Sequence, residues 1–302
     1  MLKKIIAILA MSMSIGTVSA KDPLNLIIPW NAGSLTDTVI RQTAKAYERI
    51  HGKDLVVKNI SGAQGVVGMN SWKNGPHSDV VVTTASTNVF NYVDKNIQVP
   101  YSESDFDHFI YLGTMPGLYI TRPDTQIRTP ADLRTKLPKS VGGYGSNWNS
   151  NLMVLIKDFK LESKIVEYKN TSQMVIDVAN GTIDLAITAP SPTVMALVQE
   201  GKLHIVGTTY HEDITLNNSK ITSVAKTLKI QQFNGFIGLA FHPKSLVEWN
   251  TQIKKDLWSA VNDPSVKETM VKFGMIYDPI NDTEKIKNRL NDLRKKAAFY
   301  LE

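Results

Sequence analysis

The chain has 302 residues, 42% of them hydrophobic, and carries 34 Lys and Arg against 28 Asp and Glu. That length suits one large or two medium domains, and a net charge of +6 spread along the chain disfavours a nucleic-acid partner. The absence of cysteine removes disulfides, thiolate metal sites and cysteine nucleophiles together.

At the N-terminus, Lys3 and Lys4 precede a mostly apolar run from Ile5 to Ile15, too short to cross a bilayer as a helix. Val18-Ser19-Ala20 then supplies small residues for a cut, so residues 1–20 read as a cleaved signal peptide. Without its two lysines the formal charge is +4 (6 − 2). With no cysteine for a lipid anchor and no second long apolar stretch, a soluble periplasmic protein is expected.

Leu24–Ile28 reads as a strand, followed by a glycine-bearing loop from Pro29 to Asp37. Thr36 or Asp37 can cap a helix that carries Ile40, Ala44 and Tyr47 on one face and stops at Gly52. Leu55–Val57 is a second strand, and Asn59–Gly68 a second glycine-bearing loop before a helix. Val80-Val81-Val82 reads as a buried strand. Near Ile127 the alternation restarts, with a polar loop from Tyr144 to Asn151 and an apolar helical run from Leu152. Thr171 can cap a helix bearing Met174, Val175 and Val178, closed by Gly181 and followed by the strand Ile183–Ile187. Ser191-Pro192 is a cap with proline at the first helical position, and that helix runs to Gly201 before the strand Leu203–Val206. The C-terminal part is helical: Leu246, Ile253, Leu257 and Val261 share one face, Ile286, Leu290 and Leu293 another.

Alternating strands and helices give an α/β fold. Tyr111–Pro123 and Phe233–Pro243 are extended apolar connectors bounded by Gly and Pro, which divides the chain into residues 21–122 with 240–302 as one lobe and 123–239 as the other. The pattern alone leaves a single doubly wound domain open. Two crossings permit hinge closure around a ligand.

Either glycine-bearing loop alone reads as an ordinary βα turn. Together they make a cradle for a small carboxylate, because glycine lets backbone approach a ligand and first-turn N–H groups favour negative charge. Pro29…Ala32-Gly33…Asp37 and Asn59…Gly62-Ala63…Gly65…Gly68 resemble the two loops of the periplasmic receptors of tripartite tricarboxylate transporters, the TctC/Bug family. Similar runs follow in order: Leu112-Gly113-Thr114-Met115-Pro116, Val166-Glu167-Tyr168-Lys169-Asn170, Gly181-Thr182-Ile183-Asp184-Leu185, Gly201-Lys202-Leu203 and Asp263-Pro264-Ser265-Val266. The resemblance implies a two-lobed Venus-flytrap fold of two α/β domains joined by crossing strands. It further implies a monomeric receptor without cofactor or metal that hands a di- or tricarboxylate, amino acid or aromatic acid to membrane transporter subunits. A sensor kinase is the alternative recipient.

The expected ligand contacts are Trp30, Asn31, Gly33, Ser34 and Thr36 of the first loop, and Ser61, Gly62, Ala63 and Gln64 of the second. Asp37 is the awkward member, since a carboxylate repels an anion; it caps its helix, holds the loop, or meets a water or ligand amine. Ser86 lies beyond the Val80–Val82 strand. Across the cleft stand Gly145, Ser146, Trp148 and Asn151, then Lys169, Asn170 and Thr171, then Ala189. Trp148 is placed to stack on a flat ligand if it faces the cleft, whereas Trp30 suits a lobe core or hinge. Against the usual pattern, Ser34, Ser61 and Gln64 replace glycine, proline and glycine, and Asn151 stands where histidine is common. All four still offer hydrogen bonds, in a bulkier and more polar pocket.

Enzymatic readings find little support. Gly62, Gly65 and Gly68 miss a dinucleotide fingerprint by one residue, and there is neither a P-loop nor a Gly-x-Ser-x-Gly elbow. His51, His77, His108, His204, His211 and His242 are scattered, and His211-Glu212-Asp213 are adjacent in sequence, which rarely lets three ligands converge on one ion. An exported hydrolase and an adhesion protein remain as lesser alternatives.

Overall fold

The structure is a computed structural model describing residues 24–91, 98–106 and 109–301; the expected signal peptide and His108 lie outside them. The first sheet has the order β2-β1-β3-β12-β4, formed by Leu55–Asn59, Leu24–Ile28, Val80–Thr84, Gly235–Phe241 and Phe109–Met115. β1 runs parallel to β2 and β3, whereas β12 is antiparallel to both β3 and β4. The second sheet has the order β7-β6-β8-β5-β9, formed by Lys164–Glu167, Ser140–Gly143, Leu185–Thr188, Leu118–Thr121 and His204–Thr208. There β6 is parallel to β7 and β8, and β5 is antiparallel to β8 and β9. A hairpin of β10 (Ile214–Leu216) and β11 (Ser219–Ile221) stands apart.

Helices cover both sheets because their apolar stripes need burial. α1 (Leu35–His51) buries Val39, Ile40 and Tyr47 and packs against α7 (Val247–Val261) and α8 (Pro264–Lys272). It ends where Gly52 turns left-handed at φ 61° and donates to the Glu48 carbonyl. The second sheet carries α3 (Ser146–Asp158), α4 (Thr171–Asn180) and α5 (Pro192–Gln199). α9 (Thr283–Leu301) buries Ile286 and Leu290 and lies against both β4 and α3. Leu246, expected on the buried face of α7, is instead its N-cap and 75% exposed, because the apolar stripe begins deeper in the helix, at Leu257 and Val261.

The crossings lie closer to the cleft than the sequence pattern suggests. β4 belongs to the first sheet and β5 to the second, so the outward crossing is Pro116-Gly117 rather than residue 122. On the return, β12 already pairs with β4 from Gly235 and with β3 from Ile237, ahead of the expected boundary at 239. The Thr209 hydroxyl joins the two, accepting from the Gly117 N–H at 2.7 Å and donating to Asn234 Oδ1 at 2.9 Å.

Candidate functional site

A cleft of about 760 Å³, counting solvent at its mouth, opens between the strand ends of the two sheets. Its first wall is the loop between β1 and α1. Ser34, in extended conformation, caps α1 by accepting the Asp37 N–H at 3.2 Å, ahead of the Thr36 or Asp37 expected in that role. Asp37 is 4% exposed and holds the loop together. Its carboxylate accepts from the Gly33 N–H at 2.9 Å, from Arg41 Nε at 3.0 Å to both oxygens, and from Asn59 Nδ2 at 3.0 Å. Asn59 also donates to the Trp30 carbonyl at 3.0 Å, so this cluster ties the first glycine-bearing loop to the start of the second. Burial pushes the Asp37 carboxyl upward in pKa, but the hydrogen bonds from Arg41, Gly33 and Asn59 outweigh it and hold the group below its ordinary value. With its Gly33 N–H engaged by Asp37 and its Ser34 N–H by the Asn31 carbonyl, the loop leaves the N–H groups of the lining residues Leu35 and Thr36 for the cleft.

The second loop is built differently. Gly62, Ala63, Gln64 and Gly65 are successive residues of positive φ, at 140°, 43°, 54° and 91°. None of Ser61, Gly62, Ala63 or Gln64 lines the cleft. Gln64 instead reaches the far wall, where its Oε1 accepts from Ser146 N–H at 2.9 Å. Gly68, at the start of α2 (Val66–Lys73), lets that helix close onto β1; a Cβ there would lie 2.4 Å from the Ile60 carbonyl oxygen and 2.8 Å from Pro29 Cα.

On the far wall, Tyr144, Asn147 and Trp148 line the cleft, whereas Gly145, Ser146 and Asn151 do not. Asn151 is fully buried and pins the return crossing, donating to the Phe233 carbonyl at 3.0 Å and accepting its N–H at 2.6 Å. Trp148 is 7% exposed and wedged between the crossings; a Cβ on Gly117 would come within 2.6 Å of its ring, and one on Gly235 within 3.3 Å. Trp30 meets Tyr144 edge-on across the cleft, with centroids 6.0 Å apart. Asn170, rather than Thr171, caps α4 by accepting the Gln173 N–H at 2.8 Å. Thr171 therefore reaches the cleft, and Lys169 and Asn170 stay outside it. Ser191 caps α5 as expected and lines the cleft with Ala189.

Asn31, Ser34, Thr36 and Ser86 also line the cleft, while Asp37 does not. Sequence reasoning passed over Leu35, Thr84, Ala85, Met115, Thr188 and Gly235. Thr84–Ser86 and Thr188 follow strand ends, where α/β sheets bind ligands, and that placement was the available signal. Met115 and Gly235 sit at the crossings, which only long-range pairing reveals.

Among the described residues no Lys, Arg, His, Asp or Glu lines the cleft. Polarity comes from the N-termini of α1, α3, α4 and α5, whose first-turn N–H groups have no intrahelical acceptor. Three buried polar atoms on lining residues lack a hydrogen-bond partner: Trp30 Nε1, Thr84 Oγ1 and Asn147 Oδ1. Burial first, and then the Glu167 carboxylate, push the Tyr144 phenol up to about 12, so it stays a donor at neutral pH. The described residues hold no cluster of metal-ligating side chains. Convergent positive helix ends and unspent polar atoms, with no charged side chain on the lining among the described residues, form a site that can hold a small anion by hydrogen bonding.

The profile of the family described as "Tripartite tricarboxylate transporter family receptor" matches residues 39–298. The chain belongs to that TctC receptor family. The match begins just after the first glycine-bearing loop and includes the second. A protein of Pseudomonas sp. (strain P51), named the UPF0065 protein in the tcbD-tcbE intergenic region, is 21% identical, covering 90% of this chain and 86% of its own length. Among solved structures, the periplasmic binding protein BugD superposes with a TM-score of 0.78 at 18% identity, over 91% of this chain and 95% of BugD. An R. palustris protein solved with adipate superposes at 0.81 and 16% identity, over 92% of this chain and 97% of that one. The two-sheet α/β architecture of these binding proteins is thus the fold of this TctC chain. No helix among the described residues is long and apolar enough to cross a membrane.

Proposed function

We propose that this TctC-family chain is an exported periplasmic receptor that captures a small carboxylate between its two sheets and delivers it to a tripartite tricarboxylate-type transporter. The observation that carries the reading is the cleft itself: helix N-termini converge on it, its orphaned polar atoms await partners, and no charged side chain lines it among the described residues. Family membership supports delivery to a transporter, and the adipate held by a structural neighbour supports an acid as cargo. Catalysis is disfavoured, because no lining side chain offers a base or acid that titrates near neutrality.

The test is a thermal-shift screen of the chain from Lys21 onward against small acids, after denaturing and refolding to remove any carried ligand. At a hundredfold excess over its dissociation constant, a ligand selective for the folded state adds about 2.7 kcal/mol. A selective shift by one class of acid, with the acid recovered unchanged, is expected. A flat response across mono-, di- and tricarboxylates, acidic amino acids and aromatic acids would refute the carboxylate reading. Uptake that requires both this chain and membrane subunits tests delivery.

A further inference from the structure

Four helix N-termini border the cleft; α1, α4 and α5 are each capped by the side chain of their own N-cap residue, whereas α3 is filled by acceptors from distant parts of the chain. At the start of α3, Gln64 Oε1 accepts from Ser146 N–H at 2.9 Å and lies 3.1 Å from the Ser146 hydroxyl. That hydroxyl is also 2.8 Å from Asn91 Oδ1. The Glu167 carboxylate accepts from Gly145 N–H at 3.3 Å and from Asn149 Nδ2 at 2.5 Å. Gln64 Nε2 completes the clasp by donating to Glu167 Oε1 at 3.4 Å.

The backbone holds Gln64 in place for this. It lies at φ 54° and ψ 35°, a left-handed conformation that costs a side-chain-bearing residue free energy. Its carbonyl is fixed by Asn91 Nδ2 at 3.2 Å, so the side chain is aimed from the first sheet's loop onto the second sheet's helix.

We infer that Gln64 determines specificity, closing the α3 end of the site to a second ligand carboxylate and selecting acids with one carboxylate and an uncharged body. A carboxylate arriving at α3 must displace the amide from Ser146 and sit beside Glu167, a like charge. The ends of α1, α4 and α5 remain for a single carboxylate. The rest of the wall, with Trp30, Leu35, Met115, Tyr144 and Trp148, suits an apolar or aromatic body. This selection contrasts with the dicarboxylate adipate in the R. palustris structure.

The inference rests on the carboxylate reading of the cleft, and calorimetry on matched acids separates the two. Pairs of equal chain length, such as butanoate with succinate and hexanoate with adipate, are titrated into the refolded chain and into Gln64→Gly. Glycine keeps the left-handed backbone and frees the Ser146 donors, and a thermal scan verifies the variant's fold. The chain should prefer the monoacid of the best-binding pair, and Gln64→Gly should shift the ratio towards the diacid by about tenfold or more, the worth of one charge-assisted hydrogen bond. Equal or tighter binding of the diacid by the unaltered chain overturns the inference, as does a ratio unchanged in Gln64→Gly; the carboxylate reading survives either result. Failure of every acid to bind overturns both.

Discussion

Asp37→Ala removes the group that holds both glycine-bearing loops in register. Three partners lose their acceptor: the Gly33 N–H, the Arg41 guanidinium and the Asn59 amide. Hydrogen bonds to a charged acceptor contribute about 1.5–3 kcal/mol each before compensation. The Arg41 side chain is 47% exposed, so its pair is discounted to about 1 kcal/mol or less. Gly33 is exposed and its N–H regains water, and Asn59 keeps the Trp30 carbonyl. The net loss is about 2–3 kcal/mol, a fall in Tm of roughly 5–10 °C for a chain of this size. Urea unfolding of the mature chain and the variant measures it. Because burial and hydrogen bonding together leave the folded pKa below the ordinary 3.8, the stabilisation is complete above the unfolded value and is lost as pH falls through the folded one. The difference between the two proteins should stay constant near neutrality and shrink only below about pH 4. A loss under about 0.5 kcal/mol at pH 7, or a gap that closes near neutrality, would refute this role for Asp37.

Gly68→Ala should destabilise by about 1–3 kcal/mol or more, because the added Cβ meets backbone of Ile60 and Pro29 that no rotamer change can move; denaturant midpoints will read it, and an unchanged midpoint counts against the close approach of α2 to β1. Asn151→Ala removes two buried hydrogen bonds to the Phe233 backbone and should cost about 1–3 kcal/mol, with hydrogen exchange accelerated at Phe233; a ligand-affinity loss without a stability loss would return Asn151 to the binding site. Trp30→Phe deletes the unpartnered indole N–H and should weaken acid binding by roughly three- to tenfold while reducing the ligand-induced fluorescence change to what Trp148 contributes. A full signal at full affinity would show that Trp30 meets no ligand.

Features that depend on neighbours in the chain were legible. Gly52 and Gly181 end their helices in the left-handed conformation, and Ser191-Pro192 starts one, because each effect is local. One-residue choices among good caps were not: Ser34 and Asn170 cap where Thr36, Asp37 or Thr171 were expected, since all these side chains can accept a first-turn N–H. The connectors Tyr111–Pro123 and Phe233–Pro243 contain the crossings, but their exact residues were not legible, because Phe109–Met115 and Leu118–Thr121 are equally apolar and only partner strands distinguish their sheets. Polar residues in a loop-to-helix segment suggested ligand contacts, yet Asn151 satisfies a distant backbone and Gln64 a distant helix. Sequence displays polarity but not which partner consumes it.

On the receptor reading, a cleft lined among the described residues without carboxylate, imidazole or ammonium, and with a Tyr144 phenol pushed up to about 12, has no lining proton to exchange when an ionised acid enters. The heat of capture is then independent of the buffer's ionisation enthalpy, and affinity is level between roughly pH 6 and 9. The occupied complex keeps the whole negative charge of its cargo, so filled and empty forms differ in isoelectric point. Native electrophoresis of the protein with and without a bound acid would therefore show a shift in mobility.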